Sequence, residues 1–251
     1  MPIDNVQVSI VTTVRDKNQF KKSIASVFGQ KGIDSYEYVV VDWGSKKIDV
    51  LKELRSVPCA LGNSLKAIRY LRVDADEFNR GRANNVGFRW SMGKYVLTLD
   101  CDVVIPPEYL SGLLKLCSKN KWKCLWCLGV ESTSSKIRPW CGSGIMFVPL
   151  SAIYYIRGYD ESFVGYGEED VDFRSRLERV GYAIDKIQDP LWTHLSHSNK
   201  ERGQAQLCSR LNGSVNKNRA RRKSNDYMSI IRVNGDGWGM DNNAAVKYVE
   251  L

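Results

Sequence analysis

The apolar run Tyr95 to Leu99 ends directly in Asp100-Cys101-Asp102. Two carboxylates at that place offer a diphosphate-bound divalent cation hard oxygen ligands that do not move. A bare pair of this kind also serves as a turn former or helix cap. The two histidines of the chain, His194 and His197, stand three residues apart after Asp189-Pro190-Leu191-Trp192. If that segment makes a single turn, both imidazoles face one point. Asp102 with two imidazoles suits Mn²⁺ or a similar borderline ion better than Ca²⁺, with Mg²⁺ as the alternative. A third group, Gly165-Tyr166-Gly167-Glu168-Glu169-Asp170, sets carboxylates at the start of a predicted helix, where the macrodipole favours negative charge. Capping explains one or two of them, but not the flanking Gly-Tyr-Gly, which reads as backbone allowed close to a ligand with an aromatic face for a sugar ring. Crowding by Glu168, Glu169 and Asp172 is expected to make one carboxylate a better base, Asp170 or Glu169, for an acceptor hydroxyl.

These groups need elements to position them. Val6 to Val14 reads as a strand, and Phe20, Ile24, Val27 and Phe28 recur at helical spacing behind it. Tyr38-Val39-Val40-Val41, closed by Asp42-Trp43-Gly44-Ser45, is short and wholly apolar, as a strand buried on both faces should be. Ile68 to Val73 and Tyr95 to Leu99 read as strands, with a helix over Arg82 to Trp90 between them. Strand alternating with helix predicts an α/β fold with a parallel sheet, whose functional groups gather at the carboxyl ends of the strands. Asp42, Asp100 and Asp102 are therefore expected along one edge. A helix to Lys119 follows Pro106-Pro107, then a Gly-rich turn at Trp140 to Gly144, a strand at Ile145 to Val148, and a helix at Glu168 to Val180 before the C′ residue Gly181. From Ser198 onward polarity rises and periodicity fades, apart from a predicted short strand at Met228 to Val233. The reading is one catalytic domain over 1–198 and a basic extension over 199–251, a tail or a mobile lid.

Length and composition agree with one large domain: 251 residues, 43% of them hydrophobic, can bury a substantial core. The start MPIDNVQVSIVTTVRD lacks the pattern of a secretory signal, and no run of eighteen apolar residues exists, so the expected location is the cytoplasm, with contact to a membrane face left open. Seven cysteines, an odd number with a lone Cys124 to Cys127 spacing, imply free and mostly buried thiols in a reducing compartment. The net charge of +9 suits a polyanion, a membrane surface or a diphosphate donor. Lys217, Arg219, Arg221, Arg222 and Lys223 concentrate that charge in the extension, either as a solvated tail or facing phosphate.

With these residues located, the N-terminal half resembles family 2 glycosyltransferases, and the remainder is similar to the beta-1,4-galactosyltransferase and chondroitin-polymerase group of GT-A enzymes. The resemblance spans roughly the first 200 residues. It is carried by Phe78-Asn79-Arg80, Asn85-Val86-Gly87-Phe88, Asp100-Cys101-Asp102, Gly165 to Asp172, and His194 with His197. It implies a GT-A fold, a Rossmann-like mixed sheet flanked by helices. It also implies that Thr12, Arg15, Asp42, Phe78 and Arg80 hold the nucleotide, that Asp100 meets the ribose or donor sugar, and that Asp102, His194 and His197 bind Mn²⁺. Tyr166 becomes the sugar-stacking aromatic, Glu169 an acceptor or donor contact, and Asp170 the catalytic base. Glu168 stands where glycine is usual, Val171 where an acidic residue is usual, and His194 where many galactosyltransferase relatives carry methionine.

The expected activity is an inverting, metal-dependent transfer of galactose, N-acetylgalactosamine, N-acetylglucosamine or glucose from a UDP-sugar to a hydroxyl of a glycan or other acceptor, with no nucleic acid partner. Two other readings compete. A sugar nucleotidyltransferase would want a Gly-rich phosphate loop after the first strand, and VSIVTTVRDKNQF has no glycine. A nucleic-acid-binding module would rest on the basic extension and show steep salt dependence, but has no use for GYGEEDVD.

Overall fold

The computed structural model describes residues 5–58, 64–75, 77–118, 120, 122–132, 137–140, 144–165, 167–195, 211–240 and 247–250. Through the first hundred residues strand and helix alternate: β1 (Val8–Val14), α1 (Phe20–Phe28), β2 (Tyr36–Trp43), α2 (Val50–Ser56), β3 (Leu65–Val73), α3 (Arg80–Arg89) and β4 (Tyr95–Thr98). There follow β5 (Val103–Val104), α4 (Tyr109–Cys117), β6 (Lys123–Ser132), β7 (Ile137–Trp140), β8 (Met146–Pro149), α5 (Leu150–Ile156), α6 (Glu169–Arg179), β9 (Ala183–Leu195), α7 (Leu211–Tyr227) and β10 (Lys247–Glu250).

The strands form one mixed sheet in the order β10-β3-β2-β1-β4-β8-β6-β9-β5, with β7 on β6. Strands β3, β2, β1 and β4 run parallel, and β8 then joins β4 antiparallel. The strand order reverses at β1, between β2 and β4, and a crevice opens at such a switch point beyond the carboxyl ends of the strands. The segments leaving those ends are Arg15-Asp16-Lys17, Asp42 to Ser45, and Asp100-Cys101-Asp102. In the second half β5 pairs antiparallel with β9, setting Val103 opposite His194. That register carries a histidine nearly a hundred residues away in sequence to the acidic turn.

Why these strands form is visible in their two buried faces. Along β1, Val8, Ile10 and Val14 join one core cluster with Phe20 and Ile24 of α1 and Leu110 and Leu113 of α4. Val11, of opposite parity, joins the other cluster with Val86 of α3, Ile153 of α5 and Leu177 of α6. In that second layer Phe88, Tyr159 and Phe173 stack on one another, with centroids 5.9, 4.3 and 6.4 Å apart. Such pairs contribute about 0.5–1.5 kcal/mol each beyond their buried area. Here they tie Phe173 of α6, through Tyr159, to the last turn of α3.

The mixed sheet, the free buried Cys101, Cys117, Cys124 and Cys127, and the six predicted elements of the N-terminal half agree with the sequence reading. Cys59, Cys141 and Cys208 lie outside the described residues. The predicted strand at Met228 to Val233 is absent: the segment is turn and irregular chain, with Ser229 at φ 51° and the Ile230 carbonyl accepting from Arg179 Nη1 at 2.7 Å rather than from a neighbouring strand. His194 sits on strand β9, not in a single turn. Where the sequence shows only an aperiodic extension, residues 211–227 form a helix against α6, and β10 pairs antiparallel with β3. Among the described residues no helix is long and apolar enough to cross a membrane.

Candidate active site

One side of the crevice is built at the ends of β1 and β2. Asp42, fully buried at the end of β2, accepts from the Ser45 backbone N–H at 2.9 Å, the Tyr70 hydroxyl at 2.8 Å and Arg72 Nη1 at 2.6 Å. Its carboxylate is therefore fixed before any ligand arrives. Gly44, two residues on, has φ +68° and comes so close to the Ala75 carbonyl oxygen that an added Cβ would lie 2.6 Å from it. Arg15 follows β1, is 4% exposed, and donates to the Ala75 carbonyl at 3.2 Å. Thr12 is wholly enclosed in β1, with the parity of Ile10 and Val14, while Phe78 is half-buried against the second core layer. Asp42 and Arg15 thus lie buried at the carboxyl ends of β2 and β1, and Thr12 lies deeper in the sheet.

The acidic turn after β4 carries the second part. The Leu195 N–H donates to the Asp102 carbonyl at 2.8 Å, tying the turn to the end of β9. His194 Nε2 then stands 3.7 Å from Asp102 Oδ2, and both side chains are under a tenth exposed. Among the described residues no three His, Cys, Asp or Glu side chains gather as a metal site; Asp102 and His194 supply two donors of the kind a borderline divalent ion takes. His197, its expected companion, lies outside the described residues. Lys17 was not anticipated: its Nζ is 3.2 Å from the same Oδ2. A cation leaving the first strand of a switch point is the signal that could have found it.

Arg80 joins the parts. It opens α3 behind the cap Asn79, whose side chain accepts from Arg82 N–H at 2.9 Å. From there Nη2 reaches Asp100 Oδ1 at 2.7 Å and Nη1 reaches Glu169 Oε1 at 3.3 Å. Gly144 makes room for this: a Cβ there would lie 2.6 Å from Arg80 Nη1 and 3.1 Å from Asp170 Cβ. Glu169 and Asp170 lie in the first turn of α6. Burial pushes the Glu169 carboxyl above its ordinary value, and the charge of Asp170 adds to this while Arg80 opposes it.

The crowding expected from Glu168 and Asp172 is not present. Asp172 is fully buried and paired with Arg176 at 2.7 Å, and Glu168 is paired with Arg219 at 3.1 Å and Arg222 at 2.6 Å. Both charges are neutralised locally, leaving Glu169 as the carboxylate beside Asp170. Tyr166 lies outside the described residues. The structure therefore brings Asp100, Arg80, Glu169 and Asp170 into one cluster and Asp102 with His194 into another, the two joined through the turn 100–102. The basic residues of the extension are neither wholly solvated nor left to face phosphate: Arg219 and Arg222 pair with Glu168 and Arg221 with Asp160, two carboxylates of the loop before α6.

Comparison with known proteins agrees with this geometry. Residues 9–140 match the model of glycosyl transferase family 2, and residues 131–198 match that described as the N-terminal domain of galactosyltransferase. The chain belongs to glycosyl transferase family 2 and has the GT-A fold. Among solved structures, Staphylococcus aureus TarS residues 1–349 in complex with UDP-GlcNAc superpose with a TM-score of 0.63 at 15% identity, over 77% of this chain and 59% of that one. The complex of the same TarS fragment with UDP gives 0.62 at 14% identity, over 80% and 63%. At such identity the likeness is one of fold. An uncharacterized protein of Sinorhizobium fredii, y4gI, is 32% identical over 120 residues, 47% of this chain and 13% of its own length. The chain thus spans less than two thirds of each of these relatives.

Proposed function

We propose that this glycosyltransferase moves a sugar from a UDP-sugar to a hydroxyl of a glycan or other acceptor, with inversion and with the help of a divalent metal, Mn²⁺ or Mg²⁺. The observation that carries the reading is the bridge from Arg80 to both Asp100 and Glu169, which sets a strand-end acid on the donor side beside the carboxylates of α6. UDP as the carrier is supported by the fold shared with TarS, whose complexes hold UDP-GlcNAc and UDP.

In this reading Asp42, Arg15 and Phe78 border the nucleotide, with Thr12 behind them in β1. Asp102, His194 and His197 would hold the metal, which supplies Lewis-acid stabilisation of the departing diphosphate. Arg80 steadies Asp100 against the donor and keeps Glu169 ion-paired. Asp170 takes the proton of the acceptor hydroxyl as that oxygen attacks the anomeric carbon, opposite the leaving UDP oxygen. One displacement of this kind inverts the configuration. A positioned base contributes roughly 10²–10⁴ in rate. Tyr166 would offer its ring to the sugar.

The test is calorimetric titration of UDP and of UDP-linked galactose, N-acetylgalactosamine, N-acetylglucosamine and glucose, with and without Mn²⁺, paired with an assay of UDP release. Metal-dependent binding that disappears in Asp102→Ala, with UDP release but not UDP binding lost in Asp170→Asn, is the expected result. No binding of any nucleotide by the wild type would overturn the reading.

A further inference from the structure

The loop before α6 holds an unusual backbone. Gly165 has φ 82°, Gly167 φ 90° and Glu168 φ 75°, three left-handed residues within four. Glycine adopts this region freely, but a residue with a side chain is strained there by about 1 kcal/mol or more, and such a residue persists only where its surroundings over-determine it. Glu168 immediately precedes Glu169 and Asp170, and its carbonyl accepts from the Asp172 N–H at 3.0 Å, the first hydrogen bond of α6. Its conformation therefore sets where the helix begins and where both carboxylates point.

The restraint comes from α7. Asn218 Nδ2 donates to the carbonyls of Val164 at 3.2 Å and Gly167 at 2.9 Å, gripping the loop on both sides of residue 166. One turn further, Arg222 Nε donates to Glu168 Oε2 at 2.6 Å, and Arg219 Nε holds the other oxygen, Oε1, at 3.1 Å. Asn225, one more turn along, donates to Asp160 Oδ2 at 3.2 Å and Asp172 Oδ1 at 2.8 Å. Asn218, Arg222 and Asn225 recur at intervals of four and three, so one face of α7 spans the loop from Asp160 to Asp172. Asp226 completes the frame by pairing with both Arg222 and Arg179 of α6.

From this arrangement we infer that Glu168, clamped by Arg219 and Arg222, is a lock that holds the left-handed turn and positions Glu169 and Asp170 for acceptor activation. The basic extension is then a support for the acceptor side of the site, and its arginines are positioning residues. This rests on the transferase reading for its effect on turnover. The lock itself is a property of the backbone and can be measured without activity.

The experiment uses the full chain with UDP-GlcNAc as donor and water as acceptor, following UDP release, UDP affinity, and amide exchange over residues 164–172. In Arg219→Ala/Arg222→Ala the expected result is amide exchange and UDP release altered by about tenfold or more, faster and slower respectively, with UDP affinity within about twofold of wild type. Arg222→Lys, with Arg219 intact, should fall between. Adding Glu168→Gly to the double variant should restore UDP release to within about threefold, because glycine adopts φ 75° without strain and so needs no lock to reach it. Unchanged exchange in the double variant, UDP affinity lost in parallel with turnover, or no recovery on adding Glu168→Gly would each overturn the lock. If wild type binds no UDP-sugar, the transferase reading falls, and amide exchange alone decides whether Glu168 is clamped.

Discussion

Lys17 Nζ stands 3.2 Å from Asp102 Oδ2, the oxygen that His194 Nε2 approaches to 3.7 Å. An ammonium and a divalent cation at one carboxylate oxygen repel each other, so a metal entering this corner must displace Lys17. Under the proposed function, the displaced ammonium would turn to the diphosphate of the donor. Lys17→Ala is therefore expected to bind Mn²⁺ about three- to tenfold more tightly in the absence of nucleotide, the scale of one partly screened charge contact. Titration of Mn²⁺ into the nucleotide-free protein, followed by its EPR signal, reads this directly. Equal or weaker binding in the variant would mean that the lysine does not compete for the corner.

Arg80 reaches two carboxylates with two different nitrogens, Nη2 to Asp100 and Nη1 to Glu169. Lysine offers a single point charge on a longer stem and cannot span both in the plane of a guanidinium. Arg80→Lys should lower kcat/KM for UDP release by about a hundredfold, roughly 2.7 kcal/mol, while the fold persists because Asn79 still caps α3. Steady-state kinetics with circular dichroism as the folding control checks both halves.

Strands β1 to β4 and helices α1 and α3 were legible from β-branched or apolar runs and from helical spacing of apolar residues; the seven-residue α2 between β2 and β3 was not read. Helix α7 was not, for a physical reason: the face it buries is polar, made of Asn218, Arg222 and Asn225, so apolar periodicity never marks it. Strand β9 hid likewise, since Asp185, Lys186 and Pro190 interrupt it. The acidic turn and α6 start were recognisable from residue type and spacing. Which carboxylates remain near the base was not, because the partners that neutralise Glu168 and Asp172 include residues about fifty positions away. His197 and Tyr166 lie outside the described residues, so their parts stay with the proposal.

Gly87 of α3 packs onto the sheet at the point where a Cβ would lie 2.4 Å from Val11 Cγ1 and 3.3 Å from Val41 Cγ2. Both valines are fully buried in the middle of adjacent parallel strands, so neither can retreat. Gly87→Ala should push α3 outward and destabilise the protein by about 1–3 kcal/mol despite alanine's better helix propensity. Since α3 carries Arg80 at its start, UDP release should fall as well. Thermal unfolding is expected to show Tm lower by roughly 2–4 °C per kcal/mol for a chain of this size.

Glu168 also gives the protein a pH signature. Burial works against its charge, but the hydrogen bonds from Arg222 and Arg219 outweigh this and hold the carboxyl below its ordinary range. Asp160, bound by Ser162 and Arg221, is lowered in the same way against its own burial. A carboxylate whose folded-state pKa is depressed contributes stability that is complete above its unfolded value, about 4.3 for glutamate, and that disappears as pH falls through the folded value. Replacing Glu168 with glutamine keeps its size and removes the charge. The Tm gap between wild type and Glu168→Gln should therefore be constant from neutral pH down to about pH 5, worth on the order of 1 kcal/mol, and should close progressively below that. Differential scanning calorimetry of both proteins between pH 7 and pH 3 makes the comparison. A gap that widens as the solution is acidified would contradict the ion pairs with Arg219 and Arg222 as the source of the stabilisation.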